Sequence, residues 1–260
     1  MADYLKGSIN PKNLVDTAKY NIEFRKSHPD YFYPEGLISF CGSQGSGKTL
    51  SAVQYIIKIL KDYPKAVLVT NVHIDGIKNQ VVEYSSLQEL INLFDLVHNG
   101  EYGVIYFIDE IQVLFNALLR RNLDVRTLET ISQQRKQRKH IIGTAQIFAK
   151  IDKIFREQMQ GVVLCNKLLN CIQYNQRIDG QKVVEVDGKL KYDVERNYIW
   201  FHSPKLYNLY DTSKIISAYK KEYENNAFDM SALEKVLKEI NEGGTCNAWY
   251  RLSRVISFDC

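Results

Sequence analysis

Residues 42–49 read Gly-Ser-Gln-Gly-Ser-Gly-Lys-Thr, and no other stretch of this chain restricts its fold as tightly. Gly42, Gly45 and Gly47 let the backbone curl tightly and turn successive N–H groups toward one point. The run just before, Leu-Ile-Ser-Phe-Cys at 37–41, is short, apolar and suited to a buried parallel strand. The run just after repeats apolar side chains at helical spacing (Val53, Ile56, Ile57, Leu60). A glycine loop between strand and helix cradles phosphate, because its N–H groups and the helix N-terminus both favour negative charge. We therefore expect Gly42, Ser43, Gln44, Gly45, Ser46, Gly47, Lys48, Thr49 and Leu50 to bind a nucleoside triphosphate. Lys48 is expected to reach its β- and γ-phosphates, and the Thr49 hydroxyl to ligate Mg²⁺ accompanying ATP.

A second segment supplies the chemistry that binding alone lacks. Val104-Ile-Tyr-Phe-Ile108 is a continuous apolar run that ends in Asp109-Glu110. A buried strand that delivers two carboxylates at its end suits hydrolysis. Asp109 is expected to hold the Mg²⁺ shell opposite Thr49, and Glu110 to orient or deprotonate the attacking water. A third segment, 131–146, runs from a basic helix end into a short strand over 140–144 and stops at Gln146. Ligands bind at the carboxyl edge of a parallel sheet, so Gln146 is expected beside Glu110, facing the γ-phosphate.

Together these segments resemble the FtsK–HerA superfamily of DNA-pumping ATPases, and within it the Zot-like and viral genome-packaging branches. The likeness rests on residues 42–49, on Ile108-Asp109-Glu110 and on the stretch from Arg135 to Gln146. It covers 36–165, about half of the chain. It implies an α/β fold of the P-loop NTPase type (additional-strand, RecA-like). A mainly parallel central sheet would be flanked by helices, with a β-rich C-terminal elaboration. It also implies a trans-acting arginine that completes a neighbouring subunit's site, for which Arg135 is the first candidate and Arg138 and Arg156 the alternatives. Filamentous-phage members carry a hydrophobic span after the ATPase domain; none is seen here, which favours a motor without a membrane span.

Charge distribution bears on the substrate. The net charge is only +4, yet between Arg120 and His140 seven Lys/Arg face two acids, a local excess of +5. Arg120, Arg121, Arg126, Lys136 and Lys139 are the candidate DNA contacts, of the sequence-indifferent phosphate kind that a translocase needs. A solvated helix face or a subunit interface would use the same charges. Residues 116–122 form a candidate pore loop.

Elsewhere, a helix is expected over 12–26, a second parallel strand over 66–70, and helices over 87–97, 147–160 and 229–240. The stretch 162–174 reads as one long strand, and Asp179-Gly180 and Asp187-Gly188 punctuate short hairpin strands before another over 197–202. This divides the chain into an N-terminal helical extension (1–35), the ATPase core (36–165), a β-rich elaboration (166–228) and a C-terminal helix and tail (229–260). Five cysteines at irregular spacing give neither a disulfide framework nor a zinc pattern. The N-terminus reads as no secretory signal, so cytoplasmic placement is expected, in a host cell or with a virion.

The leading expectation is an ATP-hydrolysing ring motor, pentameric or hexameric, that translocates single- or double-stranded DNA during viral genome packaging. A portal or capsid-vertex protein is a candidate partner. A virion-assembly or secretion ATPase acting on protein, and a nucleotide-dependent switch or kinase, are the alternatives.

Overall fold

Both faces of the strands near the phosphate loop are covered, which explains why they read as largely apolar runs. In the computed structural model, which describes residues 11–120, 131, 133–186 and 189–210, β1 (Leu37–Cys41) and β4 (Val104–Ile108) are buried at every position. Leu37, Cys41, Val104, Tyr106 and Ile108 face one layer, while Ile38, Phe40, Ile105 and Phe107 face the other. The first layer is closed by α3 (Leu87–Leu96) and α4 (Ile111–Arg120) through Leu90, Phe94, Leu114 and Phe115. The second is closed by α2 (Lys48–Asp62) through Leu50, Val53, Ile56 and Leu60. Each such side chain contributes about 1.5–3 kcal/mol by leaving water, before conformational entropy is set against it.

The remaining strands are β2 (Val67–Thr70), β3 (Val81–Glu83), β5 (Lys139–Ala145), β6 (Met159–Leu168), β7 (Ile172–Ile178) and β10 (Val194–Phe201). They join in the order β10-β7-β6-β1-β5-β4-β2-β3. From β6 to β3 every pairing is parallel; β7 and β10 add antiparallel at the far edge. A small hairpin, β8 (Val184–Val186) with β9 (Lys189–Lys191), stands as a separate two-stranded sheet. The expected fold class is therefore what is found. Strand β5 lies between the phosphate-loop strand and the acidic strand, which is the additional strand of that fold.

Three local expectations need correcting, and one strand went unforeseen. The stretch 162–174 is two strands, joined by a turn in which Leu169 and Asn170 both adopt positive φ (47° and 58°). Residues 147–160 hold only the short turns Phe148–Lys150 and Lys153–Arg156 before β6 begins. The segment after the acidic pair is helical through Arg120, so the first part of the candidate pore loop is α4. Strand β3 was not anticipated; its three residues carry too short an alternation to register. The helix expected over 229–240 and the tail lie outside the described residues.

A helix at the N-terminal side, α1 (Pro11–Ser27), buries none of its residues. Leu14, Val15, Tyr20 and Ile22 are at least half exposed. Its C-terminal end is held by Phe24, which packs edge-on against Tyr31.

Candidate nucleotide site

The parallel register brings the three sequence segments to one edge. Cys41 pairs with Ala145, and Ile108 pairs with Gly143, so the loop after β1, the acids after β4 and the glutamine after β5 leave the sheet side by side. The loop needs its glycines: Gly45 and Gly47 sit at φ 79° and 81°, and a side chain on Gly42 would overlap Ser46. Gly143 serves a different purpose, since a Cβ there would press into Ile111 and push α4 off the sheet.

Thr49 Oγ1 donates to Asp109 Oδ1 at 3.1 Å, so the two expected metal ligands already touch. Two residues that sequence reasoning did not assign hold Asp109 from behind. Thr144, fully buried on β5, donates Oγ1 to Asp109 Oδ1 at 2.5 Å and accepts the Glu110 amide at 2.9 Å. Asn71, just past β2, brackets the Asp109 peptide, accepting its N–H at 2.9 Å and donating to its carbonyl at 3.3 Å. Glu110 takes the left-handed conformation at φ 58°, uncommon for a residue with a Cβ, and is exposed at the site. Gln146, also exposed, donates Nε2 toward Glu110 Oε1 at 3.5 Å.

The donor set fits Mg²⁺ with a nucleotide. A hydroxyl and a carboxylate converge, both hard oxygen ligands, and Mg²⁺ completes its shell with water and phosphate oxygens. Among the described residues no cluster of three or more His, Cys, Asp or Glu could hold a metal unaided, and Mg²⁺ in this role does not need one. Ser46 Oγ is buried without a hydrogen-bond partner among the described residues, the kind of group a ligand oxygen satisfies. Leu50 turns its side chain into the core, so only its backbone is available to phosphate.

The described members of the basic cluster take different environments. Lys139 is buried at 1% exposure and donates Nζ to the Phe94 carbonyl. Burial pushes its ammonium down to about 8, against a smaller opposing pull from Asp95. Lys139 is therefore not a DNA contact; a lysine at the first position of a central strand has no route to the surface. Arg138, at φ 54°, lays its guanidinium over the Tyr31 ring at 3.8 Å, which ties the turn before β5 to the end of α1. Arg135 and Lys136 are exposed in that same turn. This turn sits at the opposite end of β5 from Gln146, away from the chain's own phosphate loop. Arg156 lies 5.9 Å over the Phe148 ring. Arg120 is described only as the last residue of α4, and Arg121 and Arg126 lie outside the described residues.

The profile of one protein family, zonular occludens toxin (Zot), matches residues 37–215, well over half of the chain. The chain belongs to the Zot family. The match spans every strand of the large sheet and all the site residues above, so this is a Zot-family P-loop NTPase. No curated protein matches the chain. Solved structures similar to this Zot-family chain include the N-terminal domain of zonular occludens toxin from Neisseria meningitidis. That pair shows 16% identity, covers 68% of this chain and 98% of that one, and has a TM-score of 0.49. The DNA-packaging ATPase from Sulfolobus Turreted Icosahedral Virus is similar at 14% identity, over 62% and 97% of the two chains, with a TM-score of 0.47. A KaiC-like protein from Pyrococcus horikoshii follows at 16%, over 65% and 89%, with a TM-score of 0.42. Among the described residues no helix is long and apolar enough to cross a membrane.

Proposed function

We propose that this chain hydrolyses ATP with Mg²⁺ as one subunit of a pentameric or hexameric ring that translocates DNA, in the manner of a viral genome-packaging motor. One observation carries the reading: β5 holds Gln146 beside Glu110 at the nucleotide edge and leads in from an exposed Arg135 at the opposite edge. In a head-to-tail ring, the opposite edge of one subunit faces the nucleotide edge of the next. Arg135 would then stabilise charge developing on the neighbour's γ-phosphate. Within the subunit, Lys48 binds the phosphates, Thr49 and Asp109 hold the metal, and Glu110 activates water. The exposed apolar residues of α1 support a subunit contact, because this helix is anchored to the Arg138 turn through Tyr31.

For DNA, the support is narrower than the charge count suggested, and it now rests on Lys136 with Arg120, Arg121 and Arg126. Membership of the Zot family supports a second reading, an assembly or secretion ATPase acting on protein. Phosphate release measured with and without single- and double-stranded DNA at low salt separates them. Turnover that rises with DNA, and a DNA affinity that falls steeply with salt, fits the motor. Turnover indifferent to both DNAs selects the protein-assembly reading, and phosphate transfer to a small molecule selects a kinase.

A further inference from the structure

The antiparallel extension reaches the phosphate loop at one point. Gln173, on β7, is fully buried and has every polar atom of its side chain engaged. Its Nε2 donates to the Ser46 carbonyl at 2.9 Å and to Asn175 Oδ1 at 2.9 Å. Its Oε1 meets His202 Nε2 at 3.1 Å. Asn175 in turn donates to Ser51 Oγ on α2 at 3.1 Å. The carboxamide has one workable orientation, since turning it over would set its oxygen against two other acceptors. That assignment makes His202 Nε2 the donor, so Nδ1 accepts from the Tyr207 hydroxyl at 2.5 Å. A line of hydrogen bonds therefore runs from the phosphate loop to the segment after β10.

We infer that Gln173 is a positioning residue for the phosphate loop, oriented by His202. The Ser46 carbonyl and the Gly47 N–H belong to one planar trans peptide and point in opposite directions. Holding the carbonyl on the Gln173 side therefore aims the Gly47 N–H into the loop, where phosphate oxygens sit. The same carboxamide occupies the space beside Gly47, since a Cβ there would overlap Gln173 Oε1. The β7–β10 extension thus acts as a clamp on the phosphate loop. It rests on the reading of residues 42–49 as an ATP site. It adds a contribution from a part of the chain with no phosphate-binding motif.

The test uses the full chain and Mg²⁺-ATP. Gln173→Leu keeps the volume and removes both donors, and His202→Phe leaves Gln173 in place but unoriented. Loss of a buried hydrogen bond of this kind corresponds to about a tenfold change. For Gln173→Leu, Kd and KM are expected to rise about tenfold with kcat held within about threefold. For His202→Phe the same direction is expected, at about threefold. A role confined to folding would lower the folded fraction and the melting temperature while the folded molecules kept the wild-type Kd. Wild-type Kd in both variants, with binding abolished in Lys48→Ala, overturns the clamp and leaves the ATP site standing. If Gln173→Leu does not fold, His202→Phe decides alone, and an unchanged Kd there overturns the inference. If the wild-type chain binds no Mg²⁺-ATP, the proposed function and the clamp both fall.

Discussion

Thr144 hydrogen-bonds Asp109 Oδ1 across 2.5 Å while accepting the amide of Glu110, so one buried hydroxyl holds the carboxylate of the first acid and the backbone of the second. The two acids come from β4 and the hydroxyl from β5. Their geometry is therefore fixed by strand pairing, with the strained φ of Glu110 held in place by the same contact.

Thr144→Val tests this without changing the shape of the core. It removes the acceptor of the Glu110 N–H and a donor to Asp109, which frees Asp109 to rotate. Stability is expected to fall by about 1–3 kcal/mol in denaturant unfolding. ATP turnover is expected to fall about tenfold to a hundredfold, the usual cost of losing a group that orients a metal ligand. Wild-type turnover would show that Asp109 needs no such support.

His140 makes the fold sensitive to acid. It is buried beside Gly36 and Tyr55, donating Nδ1–H to the Gly36 carbonyl at 2.7 Å and accepting the Tyr55 hydroxyl at 3.2 Å. Burial lowers it from 6.5 to about 4; the Gly36 bond and Glu35 oppose this, and Arg177 adds to it. Between those values the unfolded chain binds a proton that the folded chain refuses. Stability is therefore complete above about pH 6.5 and is lost as pH falls toward 4, by on the order of 3 kcal/mol. Unfolding curves at pH 7 and pH 4.5 should show a smaller difference in His140→Gln than in wild type.

Lys139 and Lys136 differ by three positions and should behave in opposite ways. Lys139→Met removes a buried ammonium and is expected to leave DNA affinity unchanged while stabilising the fold by about 1 kcal/mol or more at pH 7. Lys136→Ala is expected to leave stability unchanged and to lower the salt slope of DNA binding by about one. Equal losses of DNA binding in both would restore Lys139 to the surface.

Arg135 can be tested by mixing. Arg135→Ala alone and Lys48→Ala alone are both expected to lack turnover. Mixed rings contain interfaces with an intact phosphate loop on one side and an intact Arg135 on the other, so activity should partly return. No recovery, or normal turnover in Arg135→Ala with loss in Arg138→Ala or Arg156→Ala, moves the trans-acting role elsewhere.

What the chain displays locally was readable without its fold. The glycine loop, the apolar strand ending in two acids and the Gln after β5 are each contiguous, and their periodicity places them at strand ends. The supporting groups were hidden because they come from far away in sequence. Thr144 lies 35 positions from Asp109, Asn71 lies 38 from it, and Gln173 lies 127 from Ser46. Nothing short-range marks them. The turn between β6 and β7 was missed because Leu169-Asn170 contains neither glycine nor proline, although both residues adopt positive φ. Lys139 was misread because a lysine in a basic run looks the same whether the strand that follows starts at the surface or in the core.

The central claim is that the edge formed by residues 42–49, Asp109 and Glu110 hydrolyses ATP, and Glu110→Gln addresses it most directly. Nucleotide binding and phosphate release are measured on the same preparations with Mg²⁺-ATP. The account predicts that Glu110→Gln binds ATP within about threefold of wild type and releases phosphate at least about a hundredfold more slowly, since only the group that activates water is changed. Phosphate release at the wild-type rate in Glu110→Gln, or none from the wild-type chain, would contradict it.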